Sequence, residues 1–197
     1  MQIDLDLLYT WGAIAKQYAK HDVVFEEDAN AYFYYQVISG SVRMYNSNEE
    51  GKEFTQGIFG PGHSFGEPAL LIDKTYPARA ETMQDSVIIK LSKENFFKLL
   101  EEYPNIQKSL LQLMATRIHT KSNSSKEIIN QRPEFRLLAF ISTFKKAAAP
   151  QQGKILIPFT RQEIANFTGL RVETVIRAFA KLNASKKVEI INHKVYY

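Results

Sequence analysis

The stretch that decides the fold is "PFTRQEIANFTGLRVETVIRAFAKL", residues 158–182 of the 197-residue sequence. Thr160 and Glu163 form a T-x-x-E capping box, a pattern that satisfies two amide donors at the start of a helix. Gly169 is expected to end this helix, because glycine readily takes the positive φ of a C-terminal cap. The apolar spacing that follows predicts a second helix from about residue 172 to residue 182. Two short helices joined by a glycine turn predict a helix-turn-helix.

A polar stripe runs along the predicted second helix, opposite its apolar residues. Glu173, Arg177 and Lys181 are spaced i, i+4, i+8 and therefore share one helical face. A carboxylate near the start of such a helix can accept a hydrogen bond from the N4 amine of cytosine, and an arginine can bind O6 and N7 of guanine. Simpler interpretations exist as well: Glu173 suits the helix dipole, and Arg177 suits a phosphate contact or an ion pair with Glu173.

The charge is unevenly distributed along the sequence. Residues 133–197 contain eleven Lys and Arg against four Asp and Glu, whereas residues 1–132 contain fourteen against seventeen. A basic C-terminal third on an acidic body is typical of a nucleic-acid-binding module, although an ordinary solvated surface can have the same composition. We predict that the DNA backbone is contacted from the start of the first helix and the end of the second. The residues assigned to these contacts are Thr160, Arg161, Gln162 and Lys181.

β-structure is predicted in two parts of the sequence. Residues 23–91 alternate between apolar and polar positions, are rich in aromatic and β-branched residues, and are interrupted by turns at intervals of roughly ten residues. This pattern predicts a sandwich or a barrel-like roll. The terminal segment "KKVEIINHKVYY" predicts two short strands around residues 192–193, which suits a winged form of the helix-turn-helix.

A long helix is predicted between these two parts. Apolar residues recur at helical spacing for about four turns, and a narrow apolar stripe of this kind favours the seam of a two-helix dimer. The alternative is that the stripe packs on its own β domain. The residues assigned to the seam are Ile106, Leu110, Leu113, Met114 and Ile118. The predicted domains are a β-roll sensor at residues 1–103, a dimerisation helix at 104–132 and a DNA-binding domain at 133–197.

The run "TRQEIANFTGL-VET-IR" resembles the helix-turn-helix of the Crp/Fnr family of bacterial transcription regulators. The pieces "ISGSVRMY", "GPGHSFGEPALL" and "LLAFI" match as well, so the resemblance covers nearly the whole chain. It implies an α+β protein: a β-roll similar to cyclic-nucleotide-binding domains, a long dimerisation helix and a winged helix-turn-helix. It further implies a homodimer that binds double-stranded DNA, with RNA polymerase as a partner if the protein is an activator.

The recognition helix departs from the family pattern at two positions. Family members often begin this helix S-R-E-T-V-x-R, whereas this sequence has "RVETVIR" at residues 171–177. Glu173 and Arg177 carry over. Val172 stands in place of the first base-reading arginine, as in the Fnr branch, and Ile176 stands where that branch usually has serine. Base readout is therefore assigned to Glu173, Arg177, Val172 and Arg171, on an operator that differs from both familiar patterns.

The resemblance also implies an effector pocket around "GPGHSFGEPALLIDKTYPARAE", residues 60–81. In cyclic-nucleotide-binding members the glutamate of a Gly-Glu pair binds the ribose, and an arginine followed by serine binds the cyclic phosphate. Gly66 and Glu67 match the first half, but Tyr76 and Pro77 occupy the arginine and serine positions. A neutral tyrosine and a proline without an amide donor suit a phosphate poorly. We expect no cyclic AMP binding of the usual kind; the alternative is a cyclic-nucleotide-dependent regulator that uses Glu67 and Arg79.

Other sensors and activities find little support in the sequence. Ser122 occupies the position from which, in some family members, a side chain of the long helix contacts the effector across the dimer seam. The absence of cysteine excludes Fnr-type iron–sulfur clusters, and His21, His63 and His119 each lack a recognisable haem motif. A cupin-like metal enzyme using His63 and Glu67 would need further histidines. A protein-interaction scaffold would not require the two helices of the predicted helix-turn-helix, so their presence disfavours this alternative. We therefore expect a regulator with no metal or cofactor, an unknown effector and no enzymatic activity.

The opening residues carry no recognisable signal pattern, and residues 1–20 suggest an amphipathic helix. No run of eighteen apolar residues occurs in the sequence, so no membrane span is predicted. The expected location is the cytoplasm.

Overall fold

The computed structural model describes residues 3–129, 132–147 and 154–197. The chain divides into two compact units, Met1–Arg117 and Ile118–Tyr197, and the boundary between them falls inside one long helix. Within the described residues, no helix is both long enough and apolar enough to cross a bilayer.

The first unit is built mainly of short antiparallel strands. These strands are β1 (Ile14–Tyr18), β2 (Val23–Phe25), β3 (Phe33–Ser39), β4 (Val42–Ser47), β5 (Glu53–Phe59), β6 (Ser64–Phe65), β7 (Arg79–Thr82) and β8 (Ser86–Ser92). They form two four-stranded sheets with the orders β1-β8-β3-β6 and β2-β7-β4-β5. The β-roll predicted from the alternating pattern is confirmed.

Aromatic side chains fill the core of the roll. The ring of Phe25 stacks on that of Tyr76 with centroids 3.6 Å apart, and Phe65 packs against Phe25 and Tyr35. Such rings bury large apolar areas, and offset pairs add a further attraction between their quadrupoles. The interior of the roll is therefore occupied by its own side chains.

The helices of the first unit are α1 (Leu5–Thr10), α2 (Glu67–Leu71), α3 (Lys93–Glu102) and the long α4 (Pro104–Ile129), which continues into the second unit. The amphipathic helix suggested for residues 1–20 is wrong beyond α1. Gly12 takes a φ of 84°, which an α-helix cannot accommodate, and residues 14–18 then pair with β8 as strand β1.

The second unit is a helical domain with a small sheet. It contains α5 (Pro133–Ala147), α6 (Arg161–Thr168), α7 (Val172–Ala184), β9 (Leu156–Ile157), β10 (Glu189–Ile191) and β11 (Lys194–Tyr196). The strand order is β10-β11-β9, and all pairs are antiparallel. Its own apolar core joins α5, α6 and α7 through residues such as Leu137, Ile141, Ile164, Val175 and Phe179. The predicted α+β class with a winged helix-turn-helix is confirmed.

Candidate nucleic-acid interface and effector pocket

The capping box fixes the start of α6. The Thr160 hydroxyl accepts a hydrogen bond from the amide of Glu163 at 3.1 Å, and the Glu163 carboxylate accepts one from the amide of Thr160 at 2.7 Å. Both side chains thereby satisfy amides that the helix itself leaves without partners. The turn after α6 is equally well defined, since Gly169 takes a φ of 64° and a ψ of 20° as its left-handed cap. These local contacts hold α6 and α7 in a helix-turn-helix arrangement.

Helix α7 has one buried and one exposed face. Its buried residues are Val175, Ala178, Phe179 and Leu182. Its exposed residues include Glu173, Ile176, Arg177, Ala180 and Lys181. Arg171 occupies the N-cap with a ψ of 149° and makes no side-chain capping hydrogen bond, whereas Val172 is half-buried and packs against the core. We refer to the exposed residues of α7 as the α7 face.

The two side chains at the centre of the α7 face do not pair with each other. Arg177 Nε lies 3.4 Å from the backbone carbonyl of Glu173, and in the described part of the chain neither residue takes part in an ion pair. The predicted alternative of an Arg177–Glu173 ion pair is therefore not seen. Both charged groups are therefore exposed and not paired with each other.

Lys181 differs from Arg177 because it is held by a neighbouring helix. Its ammonium lies 3.0 Å from the carboxylate of Glu134, in the first turn of α5. Beside this pair lies a cleft of about 700 Å³ between α5 and α7, whose polar lining includes Arg132, Glu134, Thr174, Arg177 and Lys181. The cleft therefore borders the α7 face along its α5 side.

Arg161 is placed differently from the other predicted backbone contacts. Its guanidinium lies over the ring of Phe179, 4.7 Å from the centroid, and donates to the carbonyl of His193 at 3.3 Å. Desolvation by burial lowers the pKa of Arg161. Gln162, by contrast, is exposed and donates to Asn166 within α6. Arg161 thus connects α6 to the tip of the small sheet.

The wing is the hairpin of β10 and β11. Its two turn residues, Asn192 and His193, have φ values of 47° and 63°, as a two-residue type I′ turn requires. The side chain of Asn183, near the end of α7, accepts a hydrogen bond from the amide of Ile190 at 3.0 Å. The wing is therefore attached to both helices of the motif.

In the first unit, Glu67 is fully buried at the start of α2 and is paired with Arg117 of α4. Arg117 Nη1 donates to Glu67 Oε2 at 2.7 Å, and Nη2 donates to the carbonyl of Ser64 at 2.6 Å. The guanidinium also lies over the ring of Phe59. Among the described atoms, Glu67 Oε1 and the Ser64 hydroxyl are buried without a hydrogen-bond partner. The cation that faces Glu67 thus comes from the long helix.

Sequence reasoning missed Arg117. Its only sequence signal is its position in the stripe of α4, three residues after Met114 and seven after Leu110, both of which pack against the roll. A charged residue on an inward-facing stripe is expected to have a buried partner.

Tyr76, placed by the alignment at the phosphate-binding position, is 2% exposed and stacks on Phe25. Burial raises the pKa of its phenol, which therefore stays neutral. Gly66, with a φ of 79°, leaves room for this stack, because a Cβ there would lie 3.1 Å from the ring of Tyr76. The residue aligned with the phosphate-binding arginine is therefore a neutral, buried side chain of the roll's aromatic core.

Arg79 and Glu67 are not brought together. In β7 the side chains of Ala80 and Thr82 are fully buried, so strand alternation directs Arg79 to the opposite face. There its Nε lies 3.4 Å from the carboxylate of Glu26. A site combining Glu67 for the ribose with Arg79 for the phosphate does not fit this geometry.

The remaining predicted ligands are separate as well. His63 is exposed and contacts the carbonyl of Gly60, whereas Glu67 is buried against Arg117, so they do not form a metal-binding pair. His21 lies on the surface, 3.0 Å from Glu81. Ser122 is exposed on α4. Across the described residues, no three His, Cys, Asp or Glu side chains cluster as metal ligands.

The predicted dimer seam is divided by the packing of α4. Leu110 belongs to the core of the roll, and Ile106 and Met114 pack against it, so these three residues follow the alternative interpretation. Leu113 is half-buried, and Ile118 is 70% exposed. Leu111, which was not assigned to the seam, is 66% exposed. An apolar stripe alone does not distinguish a residue facing its own domain from one facing a partner.

Comparisons with known proteins agree with this architecture. Residues 15–103 match the cyclic nucleotide-binding domain family, and residues 135–196 match the Crp-like helix-turn-helix domain family. The transcriptional activatory protein AadR of Rhodopseudomonas palustris is 27% identical over 181 residues, which cover 89% of this chain and 73% of AadR. The fumarate and nitrate reduction regulatory protein of Salmonella typhi is 27% identical over 155 residues, covering 77% of this chain and 61% of that protein.

A solved structure shows the same fold. The c-di-GMP-responsive global regulator CLP of Xanthomonas campestris superposes with a TM-score of 0.81 at 21% identity, over 96% of each chain. Both of these curated relatives are named as regulatory proteins. With both domain families present in this order, the chain belongs to the Crp/Fnr family of DNA-binding transcription regulators.

Proposed function

We propose that the protein acts as a homodimer that reads a near-palindromic DNA site with the α7 face. Glu173 and Arg177 are the base-reading residues, with Arg171 and Val172 beside them at the start of the helix. The two α7 helices of a dimer would enter successive major grooves, about 34 Å apart. The observation that carries this proposal is that both charged groups at the centre of the α7 face are exposed and without ion-pair partners in the described chain.

Affinity is expected to come mainly from the DNA backbone. Thr160, Gln162 and Lys181 are the proposed phosphate contacts, and Arg161 contributes by holding the wing. Contacts of this kind release counterions, so binding should fall steeply as salt rises. The base-reading residues then set the sequence preference, because phosphate contacts carry no sequence information.

The dimer is proposed to form along α4. Leu111 and Ile118 lie seven residues apart and are 66% and 70% exposed, so they share one uncovered helical face. Leu113 borders them, whereas Leu110 belongs to the core of the roll and Ile106 and Met114 pack against that core. Burying these exposed residues against a second copy provides the apolar contact that a seam requires.

For the first unit, we propose a sensor domain that does not bind cyclic AMP in the usual way. Arg117 forms an ion pair with the buried Glu67 carboxylate. Tyr76, which is aligned with the phosphate-binding arginine of the family, is stacked on Phe25. The cytoplasm is the proposed location, and RNA polymerase is the further partner if the protein activates transcription.

The test is selection from a randomised duplex library with the purified full-length protein at 0.1 M salt, with and without cyclic AMP. The wild type should enrich one near-palindrome in both conditions. Arg177→Ala should relax one base position in each half-site. Arg79→Ala removes the same charge from the first unit and should leave the selected sequence unchanged.

Two results would overturn parts of the proposal. Enrichment that requires cyclic AMP and is lost in Arg79→Ala would establish the cyclic-nucleotide alternative. Failure to enrich any sequence under either condition, by a protein that is folded, would refute nucleotide-independent recognition.

A further inference from the structure

We propose that Glu134 limits the sequence-independent affinity for DNA by holding Lys181 and placing a negative charge beside the duplex. This inference rests on the proposed function of the α7 face. It concerns a residue of α5, outside the helix-turn-helix itself.

The position of the pair supports the inference. An α-helix with its side chains is about 10–12 Å wide, nearly the width of the major groove. Side chains at the flanks of an inserted helix therefore lie next to the phosphates that line the groove. Lys181 stands on the α5 flank of the α7 face, where the cleft between α5 and α7 also exposes Arg177. A phosphate approaching Lys181 must also approach Glu134, which lies 3.0 Å from the lysine ammonium.

Glu134 retains its charge under DNA-binding conditions. The hydrogen bond from its own backbone amide, followed by that from Lys181, lowers the pKa of its carboxyl. Its place in the first turn of α5 adds the favourable field of the helix dipole. The Glu134 side chain is 23% exposed and that of Lys181 is 73% exposed, so the glutamate is the more enclosed member of the pair.

Two arrangements compete when a duplex docks. Lys181 either stays with Glu134 and gives the phosphate only part of its charge, or moves to the phosphate and leaves the carboxylate without its partner. Each arrangement weakens the attraction to the backbone, and neither depends on the base sequence. Glu134 therefore lowers affinity for all duplexes by a similar factor and leaves the base preference to Glu173 and Arg177.

The test measures binding of Glu134→Gln to the selected site and to a scrambled duplex between 0.05 and 0.3 M salt, using fluorescence anisotropy. Removing a unit charge a few ångströms from a phosphate should tighten both complexes about three- to ten-fold at 0.1 M salt. The plot of log K against log salt should steepen by up to about one, because Lys181 then gives a phosphate its full charge. The selected sequence should not change.

The control is Glu94→Gln, which removes the same charge from an exposed Glu94–Lys98 pair in the first unit. It should leave both affinities nearly unchanged. Lys181→Gln should weaken binding more in the Glu134→Gln background than in the wild type, since only the released lysine offers a phosphate its full charge. Thermal unfolding of each variant establishes that it is folded.

The outcomes separate this inference from the function on which it rests. Unchanged or weaker binding by Glu134→Gln, with normal binding by the wild type and Glu94→Gln, would overturn the inference alone. Such a result would mean that Glu134 aims Lys181 at the DNA or has no role there. Absence of DNA binding by the wild type would instead refute the proposed function.

Discussion

Two combinations of glutamate and arginine in this protein, Glu67 with Arg117 and Glu173 with Arg177, lie in opposite situations. In the β-roll, Glu67 is completely buried and bound to Arg117 at 2.7 Å. On α7, Glu173 and Arg177 are exposed, and the arginine reaches only a backbone carbonyl at 3.4 Å. The first combination has exchanged water for protein contacts during folding, whereas the second keeps its hydrogen-bonding capacity for a ligand.

This difference indicates how each region responds to mutation. Buried charges cost several kcal/mol when their partner is removed, because the remaining ion has no water to solvate it. Exposed charges have little effect on folding stability, but they can contribute strongly to binding affinity where a ligand desolvates them. Mutation of the pair in the roll should therefore lower the free energy of unfolding, and mutation of Glu173 or Arg177 on the α7 face should lower the affinity for DNA.

The largest expected effect comes from Arg117→Ala. It leaves the Glu67 carboxylate buried and unpaired, which should lower the free energy of unfolding by roughly 3–5 kcal/mol. Urea unfolding of the full-length protein measures this change. The double variant Glu67→Gln/Arg117→Ala should recover part of it, and Lys98→Ala, in an exposed pair, should change the free energy of unfolding little. Equal costs for Arg117→Ala and Lys98→Ala would contradict the contrast.

Arg177→Ala should show the opposite behaviour. Loss of a bidentate contact to guanine is expected to cost roughly 1–3 kcal/mol on the selected site, or about 5- to 150-fold in affinity. The unfolding free energy should remain within about 0.5 kcal/mol of the wild type, as for other exposed surface positions. A titration against the selected site and a scrambled site decides the case: an equal loss on both would mean that Arg177 contacts only phosphate.

Thr160→Ala should have an intermediate effect, now on folding of the second unit. Its hydroxyl caps α6, and removing such a cap costs typically about 1 kcal/mol. Thr160→Ser keeps the capping oxygen and should retain most of the stability. Thermal unfolding followed by circular dichroism compares the two variants, and a similar loss in both would show that the cap is not the cause.

The smallest effect concerns acid sensitivity of the roll. Burial acts to raise the pKa of Glu81, but hydrogen bonds from His21 and Tyr45 together hold it below its ordinary value. A carboxyl with a lowered pKa stabilises the fold above its unfolded pKa, and this contribution is lost as pH falls through the folded value. At pH 7, Glu81→Gln should therefore be less stable than the wild type, by less than about 1 kcal/mol. Urea titrations should show this gap closing below about pH 4.5, the ordinary pKa of a glutamate. A gap that persists into acid would refute the assignment.

The parts predicted correctly from the sequence depend on neighbours along the chain. The capping box, the Gly169 turn and the two faces of α7 involve residues three or four positions apart, where side-chain chemistry determines the local structure. The alternation of the roll strands is local as well. Tyr76 was assigned to the pocket from its alignment with the family, and the structure shows that its side chain is buried.

The parts that were missed depend on tertiary contacts. Arg117 and Glu67 are fifty residues apart, and no local pattern joins them. The stripe of α4 has the same spacing whether it faces its own roll or a second copy, so the division of Leu110 from Ile118 required the packed structure. The Glu134–Lys181 pair likewise depends on how α5 packs on α7.

The closed interior of the roll has a consequence for any effector that enters it. A molecule that needs Glu67 or the place of the Phe25–Tyr76 stack would bind only the fraction of the protein in which Arg117 has left Glu67 or the stack has opened. Its apparent dissociation constant is the intrinsic one divided by that fraction, so each 1.4 kcal/mol of opening free energy weakens apparent binding about tenfold. For such a molecule, the ion pair and the aromatic stack would raise the concentration needed for binding, and variants that loosen them should bind it at lower concentrations.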